Sequence, residues 1–149
     1  MEGAKGVAGL FIDSEDPAAL AAWYDEHLGV GFTGAEGLGL DAPEHESFFR
    51  VFHTRDVDSG EVRENPVFAI NKATGPLASG DERGHVIGLR VDDVDAVLAH
   101  LASIGVEQEG KMLEWEGGRH ARVRDPDGNQ LELYQELPLA PDSPYRTRD

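Results

Sequence analysis

Apolar residues along this chain recur at two spacings, and the order of the spacings is itself repeated. Val7 to Ile12 is an apolar run of strand length. Asp16-Pro17 supplies a helix N-cap and a proline suited to the first helical position. Leu20, Trp23, Tyr24 and Leu28 follow at helical spacing, and Gly29 ends the element. Trp23 and Tyr24 read as core or boundary packing. Strands are predicted over residues 30–34, 46–54 and 66–71. The second half starts over. Val86 to Val91 is a strand, and Asp92 or Asp93 caps a helix striped by Val94, Val97, Leu98, Leu101 and Ile104. Gly105 ends it, and strands follow over 106–113, 119–124 and 129–135.

Both halves therefore read β-α-β-β-β, an internal duplication with a period of about 80 residues, longer than a solenoid repeat. The predicted organisation is one α+β domain over residues 1–149. Module one covers about 6–72, a linker rich in Gly, Ser, Pro and charge about 73–84, and module two about 85–137. Residues 138–149, with three prolines, read as a surface tail that is either mobile or latched onto a neighbour.

The sharpest local signal is Arg124-Asp125-Pro126-Asp127-Gly128-Asn129-Gln130 leading into Leu131-Glu132-Leu133-Tyr134. Asp125 and Pro126 open a type I turn and Gly128 takes its left-handed residue. In the strand that follows, Leu131 and Leu133 face one way while Gln130, Glu132 and Tyr134 face the other. A carboxylate is thus held on a rigid strand beside an aromatic, away from the aliphatic core. That suits a ligand contact or a metal ligand, and equally a sheet with one wet face.

Charge narrows the partners. With 13 Lys and Arg against 29 Asp and Glu, the net charge is -16. Nucleic acid and anionic membrane surfaces are excluded as expected partners, and cationic small molecules are favoured. No apolar run reaches transmembrane length, and the first residues lack the apolar core of a signal peptide, so the expected location is cytoplasmic. Zero cysteines exclude disulfides, thiolate metal sites and cysteine nucleophiles. Phosphate-cradling loops and nucleophile elbows are also missing. Gly34 to Gly39 reads as a flexible loop, since no helix pattern follows it.

Two modules of this order, the helix end Trp23-Tyr24…His27-Leu28-Gly29 and the closing turn Asp125-Pro126-Asp127-Gly128-Asn129 resemble the vicinal oxygen chelate superfamily. That group holds glyoxalase I, extradiol dioxygenases, metal-dependent antibiotic-modifying transferases and bleomycin-type resistance proteins. The resemblance spans about residues 7–136. It implies a curved half-barrel sheet with helices outside, a ligand in the cup and a homodimer. It also implies a divalent metal on four strand positions, which fall on Gly9, Ala69, Val86 and Glu132. Only Glu132 offers a donor atom. His85, one residue before Val86, reaches the cup only through a one-residue slip of its strand.

Among the histidines, His45 and His53 lie on or beside one predicted strand, and His27 and His100 on helices. They read more simply as surface and boundary residues than as a metal cluster. His120, on the strand before the closing turn, is the best candidate acid or base. Trp115 to His120 reads either as a mobile loop over the cup or as a hairpin turn with one half-buried Trp. The expected function is binding of a small aromatic or cationic organic ligand in the cup, with no cofactor. The predicted ligand contacts are Phe48, Arg50, Phe68, Trp115, Arg119, His120, Glu132 and Tyr134. Alternation alone leaves open which face of the Phe48 strand is the cup. The alternative is a metal-dependent lyase, isomerase or dioxygenase using Glu132 and histidines.

Overall fold

A computed structural model describes residues 3–34 and 46–146 of the chain. The glycine-rich segment beyond Gly34 and His45 lie outside the described residues. The chain divides into two compact units, Met1–Leu77 and Ala78–Asp149.

Unit one comprises β1 (Gly9–Ser14), α1 (Pro17–Leu28), β2 (Thr33–Gly34), β3 (Ser47–Val51), β4 (Thr54–Arg55), β5 (Val62–Arg63) and β6 (Val67–Lys72). Unit two comprises a short 3-10 turn (Gly80–Glu82), β7 (Val86–Arg90), α2 (Val94–Ser103), β8 (Glu109–Trp115), β9 (Gly118–Arg124) and β10 (Gln130–Glu136). The four-stranded sheets have orders β1-β6-β3-β2 and β7-β10-β9-β8. In each, the strand before the helix pairs parallel with the last strand, and the rest are antiparallel. The two units thus share one topology, and the mixed α+β class and the repeat both stand.

The helix boundaries follow their caps. Asp16 Oδ1 accepts from Ala19 N at 3.1 Å, and Asp93 Oδ1 accepts from Ala96 N at 3.0 Å. Gly29 closes α1 at φ 62°, donating its N–H back to Asp25 O at 3.2 Å. Neither helix, at 12 and 10 residues, is long and apolar enough to cross a membrane.

Several boundaries differ from the sequence expectation. Strand β1 starts at Gly9, not Val7, because its ladder begins where β6 does, at Gly9 opposite Val67. The strand expected over 30–34 shrinks to Thr33–Gly34. Asp25 Oδ1 captures the N–H groups of Gly31 and Phe32 at 2.8 Å each, and so takes those amides from the ladder. Strand β8 starts at Glu109, since Val106 N still donates to Leu101 O of the helix end at 2.9 Å. Thr54 leaves the β3 strand for a small hairpin with β5.

The core of unit one lies between its sheet and α1. Tyr24 is fully buried, with its ring edge-to-face on Phe68 at 5.4 Å and on Phe32 at 6.1 Å. Each such pair adds about 1 kcal/mol beyond area burial. In unit two, Ile87, Leu131, Leu133, Val123 and Ala121 are buried on the side of α2, whose Val94 and Leu101 are also buried.

Candidate functional site

The closing turn fixes the strands that carry the candidate site. Gly128 N donates to Asp125 O at 3.0 Å, Asp125 N donates to Asn129 O at 3.1 Å, and Gly128 sits at φ 83°. The buried Asp125 carboxylate accepts from Asp127 N and Asn129 N at 2.9 Å each and from Asn129 Nδ2 at 2.7 Å. Arg83 Nη1 in turn donates to Asn129 Oδ1 at 2.6 Å. Gly80 lies so close that a Cβ there would stand 1.6 Å from Gly128 O. These contacts lock the register in which Glu132 faces Arg122 and Tyr134 faces His120.

Paired positions share a sheet face, so the open side of unit two is read from the register. It carries Gly88, Glu132 and Arg122 in one row and Arg90, Tyr134, His120 and Leu113 in the next. Trp115 stands opposite Gly118 at the sheet edge. The hydrogen-bonding of this face is extensive. Trp115 Nε1 donates to His120 Nε2 at 2.8 Å, and the His120 ring stacks on Tyr134 at 4.6 Å and 20°. Tyr134 Oη donates to Gly117 O at 3.0 Å. Gly118 makes room for this ring, since a Cβ there would meet Tyr134 at 2.2 Å. Glu132 receives Arg122 Nε at 3.3 Å, and Arg122 Nη1 also donates to Gln130 Oε1 at 3.1 Å. His120 Nδ1 lies 3.4 Å from Glu132 Oε2, within ion-pair reach but without a formed hydrogen bond.

An indole N–H only donates, so His120 Nε2 must accept, and the neutral ring carries its proton on Nδ1, toward Glu132. The Glu132 side chain keeps 30% of its surface exposed. Beside it, a Cβ on Gly88 would meet nothing within 4 Å, which leaves open space over Gly88 in the same row. A charged acceptor, an acid–base ring and two flat aromatic surfaces thus converge on one face.

The predicted residues do not all gather there. Trp115, His120, Glu132 and Tyr134 do. Trp115 belongs to a tight hairpin turn at Glu116-Gly117 and is 39% exposed, so the hairpin alternative holds over the mobile loop. Arg119 is one step out of phase with His120 and points to α2. Its guanidinium grips Asp95 at 2.6 and 3.2 Å and Glu114 at 3.0 Å. Those two carboxylates, Asp95 foremost, hold the Arg119 pKa above its usual value, and Arg119 holds Asp95 below the ordinary carboxylate range. Phe48, Arg50 and Phe68 also face the helix side. Arg50 pairs with Phe68 and Phe48 with Ile70, and Phe68 is buried against Tyr24. The other face of unit one's sheet carries Phe11, Ala69 and Phe49 in register, with Phe11 61% exposed and Ala69 fully buried. Sequence reasoning missed Arg122, Gly88 and Tyr145. Carrying the alternation from Glu132 back across the turn finds Arg122; nothing in the sequence marks Tyr145.

Of the four strand positions that the resemblance assigns to a divalent ion, only Glu132 carries a donor side chain. A Cβ on Gly9 would already stand 2.7 Å from Val67 O, Ala69 is fully buried and Val86 is aliphatic. Glu132 is engaged by Arg122 and faces His120. Two buried imidazole nitrogens, His85 Nε2 and His120 Nδ1, lack hydrogen-bond partners. Even so, no three His, Asp or Glu side chains among the described residues are placed to share an ion. A separate cleft of about 510 Å³ in unit one is lined by Lys5, Arg55, Asp56 and Arg63. Its arginines are already engaged, Arg63 by Asp56 and Glu61 and Arg55 by Gly60 O, so the chemistry-bearing face is that of unit two.

Comparison with known proteins adds four relations. Residues 9–134 match the family model described as a glyoxalase-like domain. YaeR of Escherichia coli (strain K12), an uncharacterised protein, is 31% identical over 143 residues, covering 91% of this chain and all of that one. Among solved structures, a glyoxylase/bleomycin resistance protein/dioxygenase domain from Frankia sp. EAN1pec superposes with a TM-score of 0.61 at 17% identity, covering 91% of this chain and 100% of that one. TnmS3, an antibiotic binding protein from Streptomyces sp. CB03234, does so at 0.58 and 22%, covering 92% and 100%.

Proposed function

The chain belongs to the glyoxalase-like domain family, within the vicinal oxygen chelate superfamily, and on that premise we propose that it binds a small aromatic or cationic organic molecule without a resident divalent ion. The observation that carries the reading is the row Trp115, His120, Tyr134 and Glu132 beside the open space at Gly88. A flat ring packs on this face beside Gly88, where a positive charge gains from the neighbouring Glu132 carboxylate and from the aromatic row. The net charge of -16 raises the local concentration of cations. The fold shared with an antibiotic-binding protein supports this reading of the face, and the poor donor set at Gly9, Ala69 and Val86 supports the metal-free part.

The test is a thermal-shift and calorimetric screen of aromatic cations and neutral aromatics, on protein dialysed against EDTA. A hit is expected to bind equally well before and after EDTA. Gly88→Val adds a side chain where nothing stands in the way, so it is expected to fold normally and lose the ligand. Glu132→Gln is expected to weaken cationic hits more than neutral ones. Stoichiometric Zn, Fe, Mn or Ni whose removal abolishes binding would overturn the metal-free reading.

A further inference from the structure

The C-terminal segment is not a free tail. Leu137 N donates to Gly117 O at 3.0 Å, and Ala140 N donates to Glu116 Oε1 at 3.4 Å, so the chain folds back over the β8–β9 turn. Ser143 is buried and its Oγ accepts from Tyr145 N at 3.2 Å. This places the Tyr145 ring edge-to-face on Trp115, at 5.1 Å and 85°. Tyr145 is otherwise 64% exposed. A single chain of contacts therefore runs from Tyr145 to Trp115 to His120 Nε2.

We infer that this segment is a strap that sets the hydrogen-bonding state of the candidate site: Tyr145 and Trp115 are positioning residues that keep His120 Nε2 occupied by an indole N–H. The inference rests on the reading of this face as the ligand site, though its central test needs no natural ligand. With the strap seated, Nε2 is filled and the Nδ1 proton points to Glu132. When Trp115 swings away, Nε2 becomes a free acceptor on an open sheet face. The group that replaces the indole there must offer both a flat ring and an N–H or O–H donor. This assigns the face an aromatic ligand carrying a ring donor, an indole-like or phenol-like molecule.

Long-range proton–nitrogen NMR of the imidazole rings reads the His120 tautomer directly. The intact chain is expected to show one tautomer, protonated on Nδ1. Trp115→Phe keeps a ring but removes the donor, and is expected to show a tautomer mixture. Its Nε2 is expected to react about fivefold faster with diethyl pyrocarbonate, the factor one hydrogen bond supplies, measured against His27 and His100 in the same digest. Tyr145→Ala is expected to move both signals the same way, and Tyr145→Phe to leave them at the native values, since only the ring packs on Trp115. In Trp115→Ala, added indole is expected to restore the native tautomer and 1-methylindole is not. Circular dichroism confirms that each variant is folded. A native tautomer and reactivity in Trp115→Phe would overturn the inference. A silent Tyr145→Ala would remove the strap, and equal rescue by both indoles would remove the donor requirement. Failure of the ligand screen would leave all of these signals unchanged, so the two readings fail separately.

Discussion

Replacing Asp125 by Ala isolates the side-chain bonds that hold the closing turn. The two backbone bonds of the turn survive, because they use Asp125 N and O. At least three bonds to the carboxylate are lost, and two of the donors, Asn129 N and Nδ2, are on a buried residue. Water reaches Asp127 N more readily, so that loss is partly repaired. Two buried donors left unpaired cost about 1–3 kcal/mol each, which puts the variant roughly 2–6 kcal/mol below the native chain. That is a large part of a stability of about 5–15 kcal/mol. Near this chain length it lowers the melting temperature by roughly 10 °C. Asn129 cannot escape by flipping its amide, because Arg83 already holds its oxygen at 2.6 Å. Asp125→Asn keeps one acceptor oxygen for the two amides but sets an NH2 against Asn129 Nδ2, so it is expected to lose roughly 1–2 kcal/mol. Urea unfolding followed by circular dichroism gives the differences, provided the denaturant slope stays constant across the series. A loss below about 1 kcal/mol for Ala, or equal losses for Ala and Asn, would refute the assignment of the turn's stability to these bonds.

Two further outcomes test the site's scaffold. Gly118→Ala drives a methyl into the Tyr134 ring and against Gln135 O, so it is expected to cost about 1–3 kcal/mol and to change the near-ultraviolet dichroism of Tyr134 and Trp115. Arg119→Ala releases Asp95, whose carboxyl carbon is expected to titrate at the ordinary aspartate position instead of below it. Asp95 is depressed in the folded chain, so its ion pair adds stability above the unfolded pKa and loses it as pH falls through the folded one. The acid limb of the unfolding profile is therefore expected to be shallower in the variant. Asp95 is exposed and Arg119 half-buried, and the change is expected to be small at neutral pH.

The helix caps, the closing turn and the duplication were legible because each is local. Asp16, Asp93 and Gly29 act on amides and carbonyls within four residues, and Asp125 to Asn129 bond to one another. The alternation that sets Glu132 and Tyr134 against Leu131 and Leu133 was legible for the same reason. Alternation separates two faces of a strand without saying which one meets the helix. The sign for Phe48, Arg50 and Phe68 came only with the packing of Tyr24 on Phe68, across 44 positions in sequence. Arg119 was lost to the same ambiguity, one step from His120, where the decisive partner is Asp95 on α2. The occupied Nε2 of His120 and its brace at Tyr145 depend on a hairpin turn meeting a returning tail. Contacts between elements are set by how apolar faces close over each other, and one strand's pattern carries no record of what lies across from it.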